Sequence, residues 1–368
     1  MAFKVFAINP GSTSTKIAMF EGDKCLLSSS VSHDAKKLQQ FPEIRDQFAY
    51  RKQTVLEEVA KAGFTLEGMD AFSGRGGGLV GLPGGVYPVN QVLLHHATVG
   101  FTVKHPATLG AQLAHAFAQQ YGGQAFVVNP PDVDEFDDVA RITGWKDVYR
   151  ESRIHALNQK EIGIRYAAAH SRRYEDMDLV ICHLGGGISV TAHRHGRMID
   201  SNDIAQGDGP MAPTRGGAIP VKDVIDLCFA EGATPTAMKA RMSKTGGLVD
   251  HLGTADAREV RAMIENGCEY AKLVYDAMIY QVSKYVGSMA CALNGKAEAI
   301  LLTGGLAHDR YLTDAVTKMV RWIAPVTVMA GEFEMEALAA GAIRVLSGQE
   351  EPQEYTGIPV FQGFSSKW

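Results

Sequence analysis

The stretch Asn9-Pro10-Gly11-Ser12-Thr13-Ser14-Thr15-Lys16 gathers a glycine turn, four hydroxyls and one ammonium between two apolar runs. Turn N–H groups, hydroxyls and a lysine that converge suit the oxygens of a phosphate. The plain alternative is a Ser/Thr-rich solvent turn. A Walker-type P-loop is excluded, because there a glycine precedes the lysine and a helix follows. Here Thr15 precedes Lys16, and Ile17-Ala18-Met19-Phe20 reads as a strand. Two further glycine turns end apolar runs, at His183 to Ser189 (HLGGGIS) and at Leu301 to Asp309 (LLTGGLAHD). Glycine lets backbone approach an anion closely, and three such turns after buried strands point to a nucleotide laid across a cleft.

Two arginines stand among glycines, Arg75 in SGRGGGL and Arg215 in PTRGGAIP. A guanidinium held where the backbone is bare can grip carboxylate or phosphoryl oxygens with two parallel hydrogen bonds; otherwise each is an ordinary surface arginine. His95, His96, His193 and His195 have no acidic partners at metal-ligand spacing and read as solvated turn or strand positions. His105, before Pro106, and His155, in RIHALNQK, stand at helix entries, as cleft residues or as structural histidines.

These residues need elements to hold them. Residues 3–8, 16–20 and the following KCLLSSS read as strand, turn, strand, turn, strand. The same order returns at 179–183, 188–193 and 198–200, about 175 residues later, so the chain reads as a duplicated α/β fold with a ligand cleft between its halves. Helices are expected over HPATLGAQLAHAFAQQYGG, RESRIHALNQKEIGIRYAAAHSRRYED and EYAKLVYDAMIYQVSKYVGSMACALNG, the first and last feeding the strands QAFVV and EAILLTGG. No low-complexity linker separates the halves, and the repeat puts their boundary near residue 175.

A chain of 368 residues, 46% hydrophobic, is too long for one ordinary core, which makes two domains the expectation. The net charge of −5 argues against a nucleic-acid surface as the main business. Five cysteines, odd in number and without C-x-x-C, fit idle thiols in a reducing compartment rather than disulfides or a zinc site. The N-terminal apolar run is too short for a signal peptide, and no segment offers the roughly 18 apolar residues of a membrane span. A cytosolic protein is expected.

The motifs NPGSTSTK, HALNQK, HLGGGISV, GPMAPTRGG, TGGLAHD and EMEALAAGAIRVL occur in the order seen in the butyrate-kinase branch of the acetokinase family, and this resemblance covers essentially the whole chain. It implies two duplicated RNase H-like domains of the actin and hexokinase type around an interdomain active-site cleft. The domains would be 1–175, completed by a C-terminal helix at 335–368, and 176–334. The implied reaction is ATP plus butanoate giving ADP and butanoyl phosphate, reversibly, with Mg²⁺ as cofactor and a homodimer or larger homo-oligomer as the assembly.

By motif, Asn9, Ser12, Ser14 and Lys16 resemble the first phosphate loop, and His183 with Gly185, Gly186 and Gly187 the second. Gly304 and Gly305 resemble the adenosine contact. Arg75 and Arg215 resemble the pair that grips carboxylate and transferring phosphoryl group; His105 and His155 resemble the active-site histidines, and Glu336 the magnesium-associated glutamate. Asn129 stands where the family carries a metal-associated aspartate, with Asp132 or Asp134 as candidate substitutes. Gly76, Gly77 and Gly78 would leave volume for an acyl chain longer than acetate, although each buried methylene is worth only about 0.8 kcal/mol. Propionate, acetate or branched-chain acid kinases on the same scaffold are the near alternatives. A chaperone or filament ATPase, or an inactive paralogue, is the distant one.

Overall fold

The computed structural model describes residues 2–204 and 206–364. The chain separates into two compact units, the first formed by residues up to Asp134 together with those from Phe333 onward, the second by Glu135–Glu332. The boundary expected near 175 lies about forty residues earlier, because the helix Ala156–Ala169 packs on the second unit's sheet and Glu135 is tied to Lys160 within it.

In the first unit β1 (Lys4–Pro10), β2 (Ser14–Glu21) and β3 (Lys24–Ser32) form an antiparallel meander. β4 (Ala71–Gly74) adds in parallel to β1 and β6 (Gln124–Val128) in parallel to β4, while β5 (Val86–Pro88) closes the edge, for the order β3-β2-β1-β4-β6-β5. The helices Phe48–Lys61 and Leu109–Tyr121 cover one face through a core that includes Phe6, Ile17, Phe72, Val55, Leu113 and Phe117. The helix Glu334–Leu346 packs on β1, β4 and β6. It is much shorter than the expected 335–368 segment: Ser347-Gly348 ends it, and residues 349–364 run on without helix.

The second unit repeats the plan. β7 (Asp178–Leu184), β8 (Ile188–Arg194) and β9 (Arg197–Ser201) form the meander; β10 (Ala299–Gly304) adds in parallel to β7 and β11 (Val326–Ala330) to β10. Read outward from the meander, β9-β8-β7-β10-β11 reproduces β3-β2-β1-β4-β6. The duplicated α/β fold is therefore present in both sheets. The helix Glu269–Ala292 lays Met278, Val282 and Val286 on Val180, Cys182 and Val190. The long helix expected over 150–176 spans only Ala156–Ala169, with an irregular, non-helical approach over residues 150–154.

Candidate active site

In the first unit, the register Asn9↔Lys16 and Pro10↔Thr15 makes Gly11 to Thr13 a tight hairpin end, closed by Gly11 N–H donating to the Ser14 carbonyl (2.7 Å). Strand alternation puts Ser14 and Lys16 on one face and Thr15 on the other. Lys16 is exposed and Thr15 fully buried.

Arg75 follows β4, its N–H continuing the ladder to the Ile8 carbonyl at 2.9 Å. Its place depends on glycine: a Cβ on Gly74 would lie 2.1 Å from the Gly110 carbonyl oxygen, and one on Gly110 2.0 Å from that of Arg75. The helix Leu109–Tyr121 therefore crosses the strand end in direct backbone contact. The Arg75 guanidinium pairs with Glu334 Oε1, and Asn9 Nδ2 donates to Glu334 Oε2 at 2.7 Å. Phe333, held at a left-handed φ of 48°, turns the chain so that Glu334 opens the following helix. The glutamate at this site is thus Glu334. Glu336, the residue singled out in the sequence, is exposed two residues further on, on roughly the opposite side of the helix.

His105 caps the turn Pro106–Thr108, accepting the Ala107 N–H through Nδ1 at 3.1 Å, which places its proton on Nε2. Burial, then the charges of Arg75 and Arg51, hold its pKa below the usual value, so the ring is a neutral donor. Asn129 is buried at a left-handed φ of 38°, and its Oδ1 accepts the Gly85 N–H (2.8 Å) while its own N–H donates to the Gly85 carbonyl (2.9 Å). The oxygen expected at a metal thus closes a backbone loop. Two of the glycines after Arg75, Gly76 and Gly78, do not make an open pocket either: a Cβ on Gly76 would meet Val127 Cγ1 at 2.5 Å, and Gly78 lies against Thr108 and Gly100. They permit close packing rather than leave space for an acyl chain.

In the second unit, β7 ends at His183-Leu184 and the three glycines lead into β8. The His155 and His183 rings stack with centroids 3.9 Å apart. A Cβ on Gly187 would lie 3.7 Å from His155 Cε1 and 3.8 Å from Arg215 Nε, so imidazole, guanidinium and glycine loop meet at one place. The Arg215 loop is pinned there by Thr214, whose N–H and hydroxyl both donate to the Gly186 carbonyl (3.1 and 2.8 Å). Arg215 Nε donates to the Ile204 carbonyl at 3.1 Å, and burial lowers its pKa without discharging it near neutrality.

The helix Ala156–Ala169 buries an unusual run of polar residues, which explains the HALNQK motif. Asn158 Oδ1 bonds to His183 Nδ1 (2.8 Å). Gln159 Nε2 donates to the carbonyl (3.2 Å) and hydroxyl (2.7 Å) of Ser189, which fixes its amide orientation. Its Oε1 therefore accepts from His193 Nε2 (2.9 Å), whose Nδ1 accepts from the Tyr174 hydroxyl (2.6 Å). Ser189 Oγ lies 2.9 Å from His155 Nδ1, and the network is satisfied when Oγ donates there, which puts the ring proton of a neutral His155 on Nε2. His193 is accordingly no solvated strand residue. It is fully buried, and burial followed by the Lys160 charge holds its pKa well below the ordinary histidine value. His95 and His96 lie on the helix Gln91–Val99, His96 stacked on Phe101 with centroids 4.3 Å apart.

Gly304, at φ 90°, packs on β7, where a Cβ would fall 2.3 Å from the Leu184 carbonyl oxygen; Gly305 faces open space. Gly305 lines a cavity of about 980 Å³ with Gly185 and Gly186 and with Asp256, Arg258 and Arg261 from the start and one face of the helix Ala257–Glu265. The Arg258 hydrogen bonds hold the Asp256 pKa down to about 2. The sequence signal for this last wall is Asp256 at a helix N-cap with arginines at spacing three behind it. Among the described residues, no three His, Cys, Asp or Glu side chains gather as a metal cage. Mg²⁺ carried by a nucleotide needs no such cage, since one or two carboxylates complete a shell made mainly of phosphate oxygens and water.

The family model of the acetokinase family matches residues 149–324. Along 96% of its length the chain is 43% identical to butyrate kinase 2 of Clostridium acetobutylicum and 44% identical to a probable butyrate kinase of Coprothermobacter proteolyticus, covering each relative completely. Among solved structures, acetate kinase of Porphyromonas gingivalis superposes with a TM-score of 0.77 at 18% identity over 94% of this chain and all of that one. A propionate kinase of Francisella tularensis gives 0.73 at 17% identity over 92% and 98%. The structures share the fold, and the full-length sequence similarity settles the lineage: the chain belongs to the acetokinase family.

Proposed function

We propose that this protein is a butyrate kinase, transferring the γ-phosphoryl group of ATP to butanoate and back. The observation that carries this reading is identity above 40% to butyrate kinases over nearly the whole chain. A short-chain carboxylate is ionised near neutral pH and needs no general base. The obstacle is electrostatic, one anion approaching another, and fixed cations with neutral hydrogen-bond donors lower it in place.

In this reading Arg75 binds the carboxylate, oriented by Glu334, which Asn9 holds from its other oxygen. Arg215 and the Nε2–H of His155 bind the transferring phosphoryl group, and His105 supplies a second neutral donor. Ser12, Ser14 and Lys16 on one glycine turn, and Gly185 to Gly187 beside His183 on the other, hold the phosphates. The nucleoside occupies the cavity between Gly305 and Asp256. Mg²⁺ supplies charge neutralisation on the phosphates when bound, with Glu334 as the residue that would hold it or its water. A cytoplasmic homo-oligomer completes the proposal.

The test is incubation with ATP, Mg²⁺ and acids of two to six carbons in hydroxylamine, with acyl hydroxamate as the readout. The expected optimum is at four carbons, with branched and neighbouring acids within about a hundredfold. No product from any acid would end the kinase reading, and an optimum at acetate would end the butyrate assignment.

Asn129→Asp gives a sharper check on the metal. A carboxylate oxygen can accept the Gly85 N–H in place of the amide oxygen, but the side chain is buried, so without a cation beside it the variant is expected to be less stable than the parent in urea denaturation. If this position reaches Mg²⁺, its titration curve moves to lower concentration. A fixed curve would make Asn129 purely structural.

A further inference from the structure

Arg51 has the largest of the fully buried side chains, with no exposed surface, and the reaction outlined above does not use it. It stands on the helix Phe48–Lys61, directly behind the first glycine turn. Its guanidinium donates only to neutral oxygens: Gln47 Oε1 (3.0 Å), Thr15 Oγ1 (3.0 Å), and the carbonyls of Ser14 (3.3 Å) and Ser12 (3.4 Å). No carboxylate among the described residues bonds to it. Burying a cation without a counter-charge is costly and persists only where something offsets it. Nearby groups register that charge. His33, whose Nε2 shares Thr15 Oγ1 with Arg51, has its pKa pushed down to about 4 by burial and by the Arg51 charge, and Arg51 also lowers that of His105.

We propose that Arg51 is a positioning residue for the first phosphate loop, fixing the Ser12 to Thr15 turn from behind and supplying a buried positive charge that the phosphates of bound ATP balance. The geometry makes both parts concrete. A peptide unit is planar with N–H opposite C=O, so drawing the Ser12 carbonyl back toward Arg51 turns the Thr13 N–H to the outer side of the turn. Holding Thr15 inward keeps its neighbours Ser14 and Lys16 on the opposite face. The turn is thereby set as an anion cradle before the ligand arrives, and the cation beneath it stays unbalanced until then. This inference rests on the assignment of Ser12, Ser14 and Lys16 to phosphate.

The experiment compares wild type, Arg51→Met and Arg51→Lys by calorimetric binding of Mg-ATP, by acyl-hydroxamate kinetics and by urea denaturation without ligand. Arg51→Met is expected to raise the ATP Kd and to lower kcat/KM for ATP about ten- to a hundredfold, as for residues that orient a direct ligand. The KM for butanoate stays within about twofold, and the ligand-free denaturation midpoint is at or above that of wild type, since an unbalanced buried charge has gone. Arg51→Lys keeps the charge but not the fork, and its loss for ATP is expected to lie between the other two.

Folded Arg51→Met with wild-type ATP affinity and kcat/KM would overturn the proposal. Should that variant fail to fold, Arg51→Lys decides, and wild-type parameters for it overturn the positioning role. A wild type that binds ATP but turns over no acid, with weaker binding in Arg51→Met, would remove the butyrate kinase reading and keep this one. A wild type that binds no ATP removes both.

Discussion

Arg215→Ala is expected to lower kcat for butanoyl phosphate formation about a thousandfold, the lower end of what arginines on a transferring phosphoryl group contribute. The guanidinium is held by the Ile204 carbonyl and by Thr214 against Gly187 and His155, so it meets its ligand without reorganising. Because its partners in the ligand-free protein are two carbonyls and a hydroxyl, truncation leaves no buried carboxylate behind, and the fold is expected to survive. Single-turnover rates with saturating ATP and butanoate separate chemistry from binding. A fall in kcat/KM with kcat unchanged would move Arg215 from the transition state to uniform binding. A loss under tenfold would remove it from the phosphoryl group altogether. Arg215→Lys is expected to recover little, because a point charge cannot replace a planar fork.

The largest effect on stability is expected one helical turn along from His155. Lys160 and Glu135 form an ion pair at 2.9 Å with side chains only 8% exposed each, and Lys160 also donates to the Gly196 carbonyl at 2.8 Å. Removing one member of such a pair strands the other in a poor dielectric, so Lys160→Met is expected to cost about 3–5 kcal/mol in urea denaturation. The double variant with Glu135→Gln should regain much of that, since the uncompensated charge is then gone. A single-variant cost below about 1 kcal/mol would mean that water or backbone already solvates Glu135. The HALNQK motif therefore mixes two tasks. His155 faces the glycine loop, and Lys160 ties the helix to the acidic segment before it.

The strands, the duplicated meander and the glycine turns were legible in the sequence because each rests on local chemistry: apolar runs of strand length broken by glycine. So was the placement of Arg75 and Arg215 in bare backbone. What was not legible depends on contacts between residues far apart in the chain. Glu334 and Glu336 are equivalent in composition, and only the left-handed turn at Phe333 decides which of them reaches Arg75 and Asn9. Glycine at 76 and 78 reads equally as open volume or as close packing until Val127, Pro130 and Thr108 are in place. The boundary near 175 followed the repeat, but the crossing helix before β7 belongs with the sheet it covers. Arg51 gave no signal at all, since an arginine in a helical pattern is ordinarily a solvated one.

The helix Glu334–Leu346 completes the first unit only after all of the second has been made. Ala337, Leu338, Ala339, Gly341 and Ala342 are its buried positions, and Gly341 comes so near Val128 that a Cβ would lie 2.5 Å away. On a ribosome, the β1-β4-β6 face that this helix covers therefore waits through roughly 10–40 s of further synthesis, while residues 135–332 emerge as one continuous stretch. Glu334, which joins Arg75 to Asn9, arrives with that last helix. A chain interrupted before it thus holds every glycine turn yet lacks the carboxylate that pairs with Arg75.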